Sequence, residues 1–193
     1  MKNKIEIIAS LKSRLTGERF IHSLNVADMA KELAAIYGCD EGKAYYAGLI
    51  HDCTKNTPEE KQLKIMRDAG IELTELEMNN KKLWHAISGS AFIQSEYGIT
   101  DPEIVSAVRY HTTGKADMTL LQKIIYVADF TSAERDYHNV NEIRHYARTD
   151  IDRAVFEGAD FCIKELEKHG RDIHPDTVAA RNYYGKDLTD ERS

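Results

Sequence analysis

The chain has 193 residues, of which 42% are hydrophobic and 30% are charged, a balance typical of one globular domain with a substantial core. Its formal net charge of −6 excludes the broad basic surface that recruits nucleic acid or anionic membrane. The three cysteines form no CxxC pair, and no run approaches the roughly 20 apolar residues of a membrane span, so we expect a cytoplasmic protein with reduced thiols.

Helical patterns cover the first part of the chain. Apolar residues recur at steps of three and four along 20–37, and Asp40 is placed to cap the next helix. The run Thr57-Pro58-Glu59-Glu60 predicts a helix with Thr57 as N-cap, proline at the first helical position and a capping box. Two further helices are predicted over 83–97 and 101–111.

The second part of the chain is also predicted to be helical. The segment from Thr119 past Asp129 is the most apolar; a strand over 124–127 is the alternative, but the flanking helical period disfavours it. A long helix begins at Thr149 or Asp150, and a short one begins at His174. We find no repeat, linker or break in composition, so the sequence predicts one all-α domain of roughly eight to ten helices.

Four histidines and two aspartates lie at separated positions within the predicted helices. Neutral imidazole and carboxylate are the ligands that borderline divalent metals prefer, and ligands from different helices are typical of a metal site inside a helical bundle. Adjacent helical residues point about 100° apart, so the neighbouring histidine and aspartate must lie at a helix end or flank the metal from two sides. The six residues are His22, His51, Asp52, His85, His111 and Asp129.

Three cations lie close in sequence to these residues and could hold an anionic substrate. Arg19 precedes His22 by one helical turn, Lys55 follows Asp52 by three residues, and Arg135 follows the last aspartate by six. Each has a simpler explanation: either arginine could form a structural ion pair, and Lys55 could be a solvated lysine at a helix end.

The ordered blocks resemble those of the HD-domain metal-dependent phosphohydrolases. The resemblance extends to the YqeK branch of that family and covers the chain from Arg19 to about Tyr184. It implies a single HD domain over 1–193, with a metal core at about 19–135 and helices at about 140–184 that complete a nucleotide site. The blocks are Arg19-x-x-His22-Ser23, Gly48-Leu49-Ile50-His51-Asp52-Cys53-Thr54-Lys55, Trp84-His85-Ala86-Ile87-Ser88-Gly89, Arg109-Tyr110-His111-Thr112-Thr113-Gly114 and Tyr126-Val127-Ala128-Asp129-Phe130.

The resemblance also implies an activity, which is the symmetrical cleavage of diadenosine tetraphosphate to two ADP by metal-activated water. Iron is the usual metal of the branch, with one or two ions, and manganese or cobalt could replace it. The expected partners are a dinucleoside polyphosphate and ADP, without nucleic acid or membrane, and a homodimer is compatible with the sequence.

The predicted roles divide the site residues into three overlapping sets. His85 and His111 are either ligands of a second metal or contacts to a phosphate. The metal ligands are His22, His51, Asp52 and Asp129. The catalytic residues are Asp52, Lys55, His85 and His111. The substrate-binding residues are Arg19, His22, Asp52, Lys55, His85, His111, Thr112, Thr113, Arg135, Ile173, His174, Pro175 and Asp176.

Several alternatives remain open at this point. The protein could hydrolyse another nucleotide, such as a deoxynucleotide, or it could be a non-catalytic nucleotide- or metal-binding module, although the complete ligand set disfavours the latter. The segment 172–177 could be a plain helix start, and Trp84 could stack on adenine or belong to the core.

Overall fold

The computed structural model describes residues 2–186, which form eleven α-helices and no β-strand. A short 3₁₀ turn over Lys81–Leu83 leads directly into the sixth helix. Within residues 2–186, no helix combines the length and the apolar character needed to cross a membrane. The helices are α1 (Lys4–Arg14), α2 (Gly17–Tyr37), α3 (Glu41–Ile50), α4 (Glu59–Asp68), α5 (Glu75–Asn79), α6 (Trp84–Tyr97), α7 (Pro102–Tyr110), α8 (Leu120–Thr131), α9 (Val140–Thr149), α10 (Ile151–Lys168) and α11 (Pro175–Tyr184).

The predicted all-α class is confirmed, but the number of helices was underestimated. Helices α1, α5 and α9 had no counterpart among the eight helices predicted individually. Two of them begin with a capping box that the sequence displays: Asn3 with Glu6 for α1, and Thr74 with Glu77 for α5. Attention to these two signals would have raised the number of individually predicted helices to ten.

The predicted start of α4 was wrong in its capping residue. The helix begins at Glu59, Pro58 occupies the N-cap position, and no side chain caps the helix. Thr57 is used elsewhere, because its backbone N–H donates to the Thr54 carbonyl at 2.9 Å and its own carbonyl accepts from the Gln62 side chain at 2.8 Å. The preceding turn therefore continues to Thr57 and leaves the extended residue Pro58 to open the helix.

Helix α8 is the central element of the bundle. Its residues 124–128 are almost completely buried, and the helix packs against α2, α3, α7, α9 and α10. A helix that is apolar on every side needs such an environment. Residues 124–127 are therefore helical, which excludes the strand alternative. Asp129 lies near the end of this central helix.

Helices α2 and α3 approach each other closely at Gly48. A Cβ atom at this position would lie 2.9 Å from the Ala27 Cα atom and 3.0 Å from the Val26 carbonyl oxygen. These are backbone atoms that cannot move aside cheaply, so the contact requires glycine. The close approach brings His22 of α2 next to His51, which directly follows α3.

Candidate metal centre

The predicted ligands converge from five helices. One histidine lies within α2, the His51-Asp52 pair follows α3 directly, one histidine lies in the first turn of α6, one follows α7, and the last aspartate lies near the end of α8. The pair lies at a helix end, which is one of the two arrangements that the angle of about 100° between adjacent helical residues allows. Five of the six residues are buried: His22, His51, Asp52, His85 and His111.

Asp52 lies at the centre of this group. Its Oδ1 atom is 3.2 Å from His85 Nε2 and 3.5 Å from His111 Nε2. Its Oδ2 atom is 3.8 Å from His51 Nε2 and 4.0 Å from His22 Nε2. One carboxylate therefore faces all four imidazole rings, as a bridging ligand would.

The donor atoms form two overlapping sets of three. His22, His51 and Asp129 make one set, and His51, Asp52 and His111 make the other, with all donor atoms of a set within 4.8 Å of one another. His51 belongs to both sets. The arrangement offers donor atoms for one ion or for two neighbouring ions.

The rings of His51 and His111 are fixed by backbone carbonyl groups. His51 Nδ1 lies 2.6 Å from the Gly48 carbonyl oxygen, and His111 Nδ1 lies 2.8 Å from that of Val108. Each Nδ1–H donates to its carbonyl, so the lone pair of each neutral ring is on Nε2, which faces the cluster. A hydrogen bond of this kind on the outer nitrogen is typical of histidines that bind metals.

Glu134 holds His22 in the same way, and it is a residue that the sequence analysis missed. It accepts a short hydrogen bond from His22 Nδ1 and further bonds from Asn25 Nδ2 at 2.6 Å and Ser132 Oγ at 2.8 Å. Burial raises the pKa of Glu134, but the bonds from His22 and Asn25 outweigh it and lower the pKa to about 2. Burial lowers the pKa of His22, yet the contacts with Asp129 and Glu134 raise it above its ordinary value, so the two carboxylates favour a cation at this position, either a proton on the ring or a metal beside it.

The chemistry of the donor atoms fits a divalent metal. Within residues 2–186, the buried atoms His22 Nε2, His51 Nε2 and Asp52 Oδ1 lack a hydrogen bond of normal geometry. Buried polar atoms are almost always satisfied, so three that converge point to a bound cation. Burial lowers the pKa of His51 to about 4, which leaves its ring neutral and able to bind a metal at neutral pH.

The two aspartates are ionised in spite of their surroundings. Burial raises the pKa of Asp52, but the basic side chains around it, first His51 and then His111, His85 and Lys55, outweigh burial and hold the pKa well below its ordinary value. Burial acts in the same direction on Asp129, and the contact with His22, whose Nε2 atom lies 3.0 Å from Asp129 Oδ1, outweighs it. Neutral imidazole and charged carboxylate are the states that metal binding requires.

His85 has different surroundings. Its Nδ1 atom is 3.4 Å from Lys55 Nζ, and its Nε2 atom is 3.1 Å from Lys55 Nζ, 3.2 Å from His111 Nε2 and 3.2 Å from Thr112 Oγ1. Among the described residues, no carbonyl or carboxylate accepts a hydrogen bond from Nδ1. Burial holds the pKa of His85 well below its ordinary value and also lowers the pKa of Lys55.

Both predicted arginines form ion pairs with the cluster. Arg19 Nη1 lies 3.3 Å from Asp52 Oδ2, and Arg135 Nη2 lies 2.5 Å from Asp129 Oδ1. Their side chains are 38% and 36% exposed, so the guanidinium groups also reach solvent. The structural ion pairs considered as the alternative role of these arginines are therefore present. The solvent-exposed part of each guanidinium group can still contact an incoming anion.

Two cavities adjoin the cluster. One of about 350 Å³ is lined by Lys55 and His85 together with further basic residues. The other, of about 190 Å³, lies beside Asp129 and Arg135 and has aromatic walls. The cluster is therefore accessible from a cationic and from an aromatic side.

The other predicted substrate-binding residues lie outside this cluster. Thr113 is buried, and its hydroxyl donates to the Gly114 carbonyl at 2.9 Å. His174 caps α11, where its Nδ1 atom accepts from the Asp176 N–H at 3.1 Å, and its Nε2 atom lies 3.7 Å from Glu77 Oε1. The assignment of Thr113 and the 173–176 segment to a nucleotide stays a prediction.

Trp84 belongs to the core. It is 3% exposed, and its indole N–H donates to the Glu77 carbonyl at 2.7 Å. It packs in a small apolar cluster with Met66, Leu83 and Ile87. Stacking on a base is therefore not available to it in this structure.

Comparisons with known proteins agree with this site. The family model described as HD domain matches residues 19–134, the part of the chain that contains all six clustered residues. A crystal structure from Clostridium acetobutylicum, described as a predicted HD superfamily hydrolase involved in NAD metabolism, has a TM-score of 0.94 and 37% sequence identity. The similarity covers 97% of this chain and 99% of the other.

Two relatives with a named activity match almost the whole chain. The "Bis(5'-nucleosyl)-tetraphosphatase, symmetrical" of Bacillus subtilis is 37% identical over 94% of this chain and 97% of its own length. The protein of the same name from Halalkalibacterium halodurans is 32% identical over 93% of this chain and 96% of its own length. With its bundle of helices, its buried histidine and aspartate cluster and these matches, the chain belongs to the HD domain family.

Proposed function

We propose that this protein is a metal-dependent hydrolase that cleaves diadenosine tetraphosphate symmetrically into two ADP. The observation that carries the proposal is the convergence of buried imidazole and carboxylate donors on one point. Relatives that bear the name of this activity match the chain along nearly its full length, which favours this substrate over a deoxynucleotide. We propose iron as the metal, with manganese and cobalt as substitutes.

The proposed ligands are His22, His51, Asp52 and Asp129, and His111 is well placed to join them. When bound, a divalent metal lowers the pKa of a coordinated water and neutralises charge on phosphate oxygens. Asp52 keeps its charge although it is buried, and it faces the rings of all four histidines. It is therefore the residue whose loss disturbs the most contacts in the site.

Four side chains are placed to hold the phosphate oxygens. Phosphoryl transfer depends mainly on positioning and on stabilisation of charge, and the protein supplies both with cations and hydrogen-bond donors. Lys55 and His85 line the larger cavity, and Arg135 lies beside the smaller one. The Thr112 hydroxyl lies 3.2 Å from His85 Nε2, beside the side chains that line the larger cavity.

The leaving group does not require a dedicated proton donor. Water attacks one of the two central phosphorus atoms, and the bond from that phosphorus to the oxygen of the departing ADP breaks. The ADP oxyanion is weakly basic and can leave unprotonated. Glu134 is a further carboxylate at the site, but with a pKa of about 2 it is ionised and cannot donate a proton.

The C-terminal helices are proposed to complete the nucleotide site. A Cβ atom on Gly114 would lie 3.3 Å from the Ala180 Cβ atom, so the turn after His111 packs directly against α11. The 173–176 segment begins the same helix. Thr113 therefore lies next to a turn that packs on the helix opened by this segment, and we propose that Thr113 and the segment both contact a nucleoside.

Product analysis with the metal-loaded protein tests the proposal. The protein is purified without oxygen, its metals are quantified, and it is incubated with dinucleoside polyphosphates and deoxynucleoside triphosphates. The expected result is ADP alone from diadenosine tetraphosphate, with one ¹⁸O label from the water in one of the two ADP molecules. Formation of ATP and AMP would contradict symmetrical attack. Cleavage restricted to deoxynucleotides, or no turnover by the metal-loaded protein, would favour the two alternatives instead.

A further inference from the structure

One cavity beside the candidate metal centre has an unusual charge. Its volume is about 350 Å³, and its six lining residues include four cations and no carboxylate. Three larger cavities, of about 530, 510 and 380 Å³, each combine their lysines with at least one acidic residue. We call this cavity the basic pocket, and it is lined by Arg19, Lys55, Gln62, Lys81, Lys82 and His85.

The inner end of the basic pocket is formed by residues that contact the metal-ligand cluster. Lys55 Nζ is 3.1 Å from His85 Nε2, which is itself 3.2 Å from Asp52 Oδ1. Arg19 Nη1 is 3.3 Å from Asp52 Oδ2. A phosphate chain that begins at the cluster therefore enters the pocket without crossing an intervening wall.

The outer end of the pocket is formed by two exposed lysines on the 3₁₀ turn that precedes α6. Lys81 has a structural partner, since its Nζ atom is 2.5 Å from Glu59 Oε2, and it also lies 5.9 Å from the centre of the Trp84 ring. The side chain of Lys82 forms no ion pair or hydrogen bond with the rest of residues 2–186. Its ammonium group is therefore available to a ligand.

The position of these lysines matters in an acidic protein. The chain carries a net charge of −6, so a polyphosphate meets repulsion over much of the surface and attraction at the basic pocket. Anions are concentrated where charges of one sign line a concave surface. The pocket continues outward from the cluster, which suits a ligand with several phosphates in a row.

We propose that Lys82, assisted by Lys81, determines the preference for a long polyphosphate by holding the phosphates farthest from the metal centre. The inference rests on the proposed function, because it assigns the outer pocket to the nucleoside diphosphate half that leaves. Among the described residues, Lys81 contacts Glu59 and Trp84 and not the metal ligands. We therefore expect a single phosphate at the cluster to contact Lys55 and Arg19, and a tetraphosphate to gain the attraction of Lys81 and Lys82 in addition.

Calorimetric titration of the metal-loaded protein with inorganic tetraphosphate and with orthophosphate tests the inference without turnover. We expect Lys82→Gln to weaken tetraphosphate binding about 5-fold and Lys81→Gln/Lys82→Gln about 10-fold or more, as exposed charge contacts allow. Orthophosphate binding should change less than about 2-fold, and the loss should shrink at high salt because exposed charges are screened. Lys168→Gln, an exposed lysine on α10 that faces Glu165, is the matched control.

Kinetics with diadenosine tetraphosphate provide the second measurement. The same variants should raise KM by similar factors, with the loss in KM and not in kcat, as removal of uniform binding predicts. Unchanged tetraphosphate affinity in the double variant, or an equal loss for orthophosphate, would overturn the assignment of the pocket. If the wild-type protein does not cleave diadenosine tetraphosphate, the proposed function fails, and the titration alone decides whether the pocket binds polyphosphate.

Discussion

The histidines of the candidate metal centre fall into two groups that differ in what holds their rings. His51 and His111 donate from Nδ1 to backbone carbonyl oxygens, and His22 is held by Glu134. His85 has no such acceptor among the described residues and contacts Lys55 through both ring nitrogens. A ring with a fixed outer nitrogen presents a fixed lone pair to a metal, whereas no acceptor within residues 2–186 fixes which nitrogen of His85 carries the proton.

The difference in what holds each ring separates metal ligands from phosphate contacts, which the residue type alone does not. Imidazole can bind a metal or donate to a phosphate, so residue type left His85 and His111 equivalent. Their anchoring separates them: His111 resembles the metal ligands, and His85 lies between Asp52 and Lys55 at the inner end of the basic pocket. We therefore expect His111 to act as a ligand and His85 as a phosphate contact.

The largest effect should come from Asp52→Asn, which removes the charge at the centre of both groups. Turnover should fall about 1,000-fold or more, and metal content should fall with it, because an amide neither neutralises the ion nor bridges the rings. Asp68→Asn, on the exposed end of α4, is the matched control. Full metal content together with wild-type turnover would contradict the central position of Asp52.

The comparison between the groups is tested most directly by His51→Gln and His85→Gln. We expect both to reduce kcat/KM about 100-fold or more, because each side chain contacts the reacting region. Metal content should drop in His51→Gln and stay at the wild-type level in His85→Gln. Equal metal loss in the two variants would show that the anchoring of the ring does not separate ligand from substrate contact.

His111→Gln sharpens the same distinction. Because His111 Nδ1 is held by Val108, we expect the variant to lose metal, and by half if two ions are bound. Activity should fall about 10- to 100-fold and recover in part with added metal. Unchanged metal content measured by elemental analysis would place His111 with His85 in the group that contacts phosphate.

A smaller effect is expected for Glu134→Gln, which keeps the shape of the side chain but removes the charge beside His22. Loss of such an outer partner weakens metal affinity about 10- to 100-fold. Activity in saturating metal should therefore stay closer to the wild-type value than in the ligand variants. Glu142→Gln on α9 is an exposed control of the same chemistry. A metal affinity equal to that of the control would contradict the role of Glu134 in holding His22.

The sequence predicted the members of the cluster because each lies in or beside a helix whose apolar period is visible. It also restricted His51 and Asp52 to a helix end or to two sides of the metal, and the structure has them at a helix end. It did not predict Glu134, which is 112 residues from its partner His22 and has no characteristic spacing to it. Contacts that depend on how distant helices pack leave no local signal, whereas the carbonyls that anchor His51 and His111 lie only three residues before each ring.

Helix boundaries show the same limit at a smaller scale. Asp40 and Asp101 cap their helices as the sequence predicted, because capping involves residues two or three positions apart. Thr57 fails as a cap since Gln62 and Thr54 use its backbone groups. The competing contact to Gln62 depends on the side chain's final position, which the four-residue pattern does not include.

The position of Trp84 has a practical consequence for spectroscopy. It is the single tryptophan of the chain, its indole is almost completely buried, and it directly precedes His85. Its fluorescence therefore originates from one corner of the molecule, where α5, the 3₁₀ turn and α6 meet. Loosening of that corner would expose the indole and shift its emission to longer wavelength, so the native protein carries its own optical reporter beside the basic pocket.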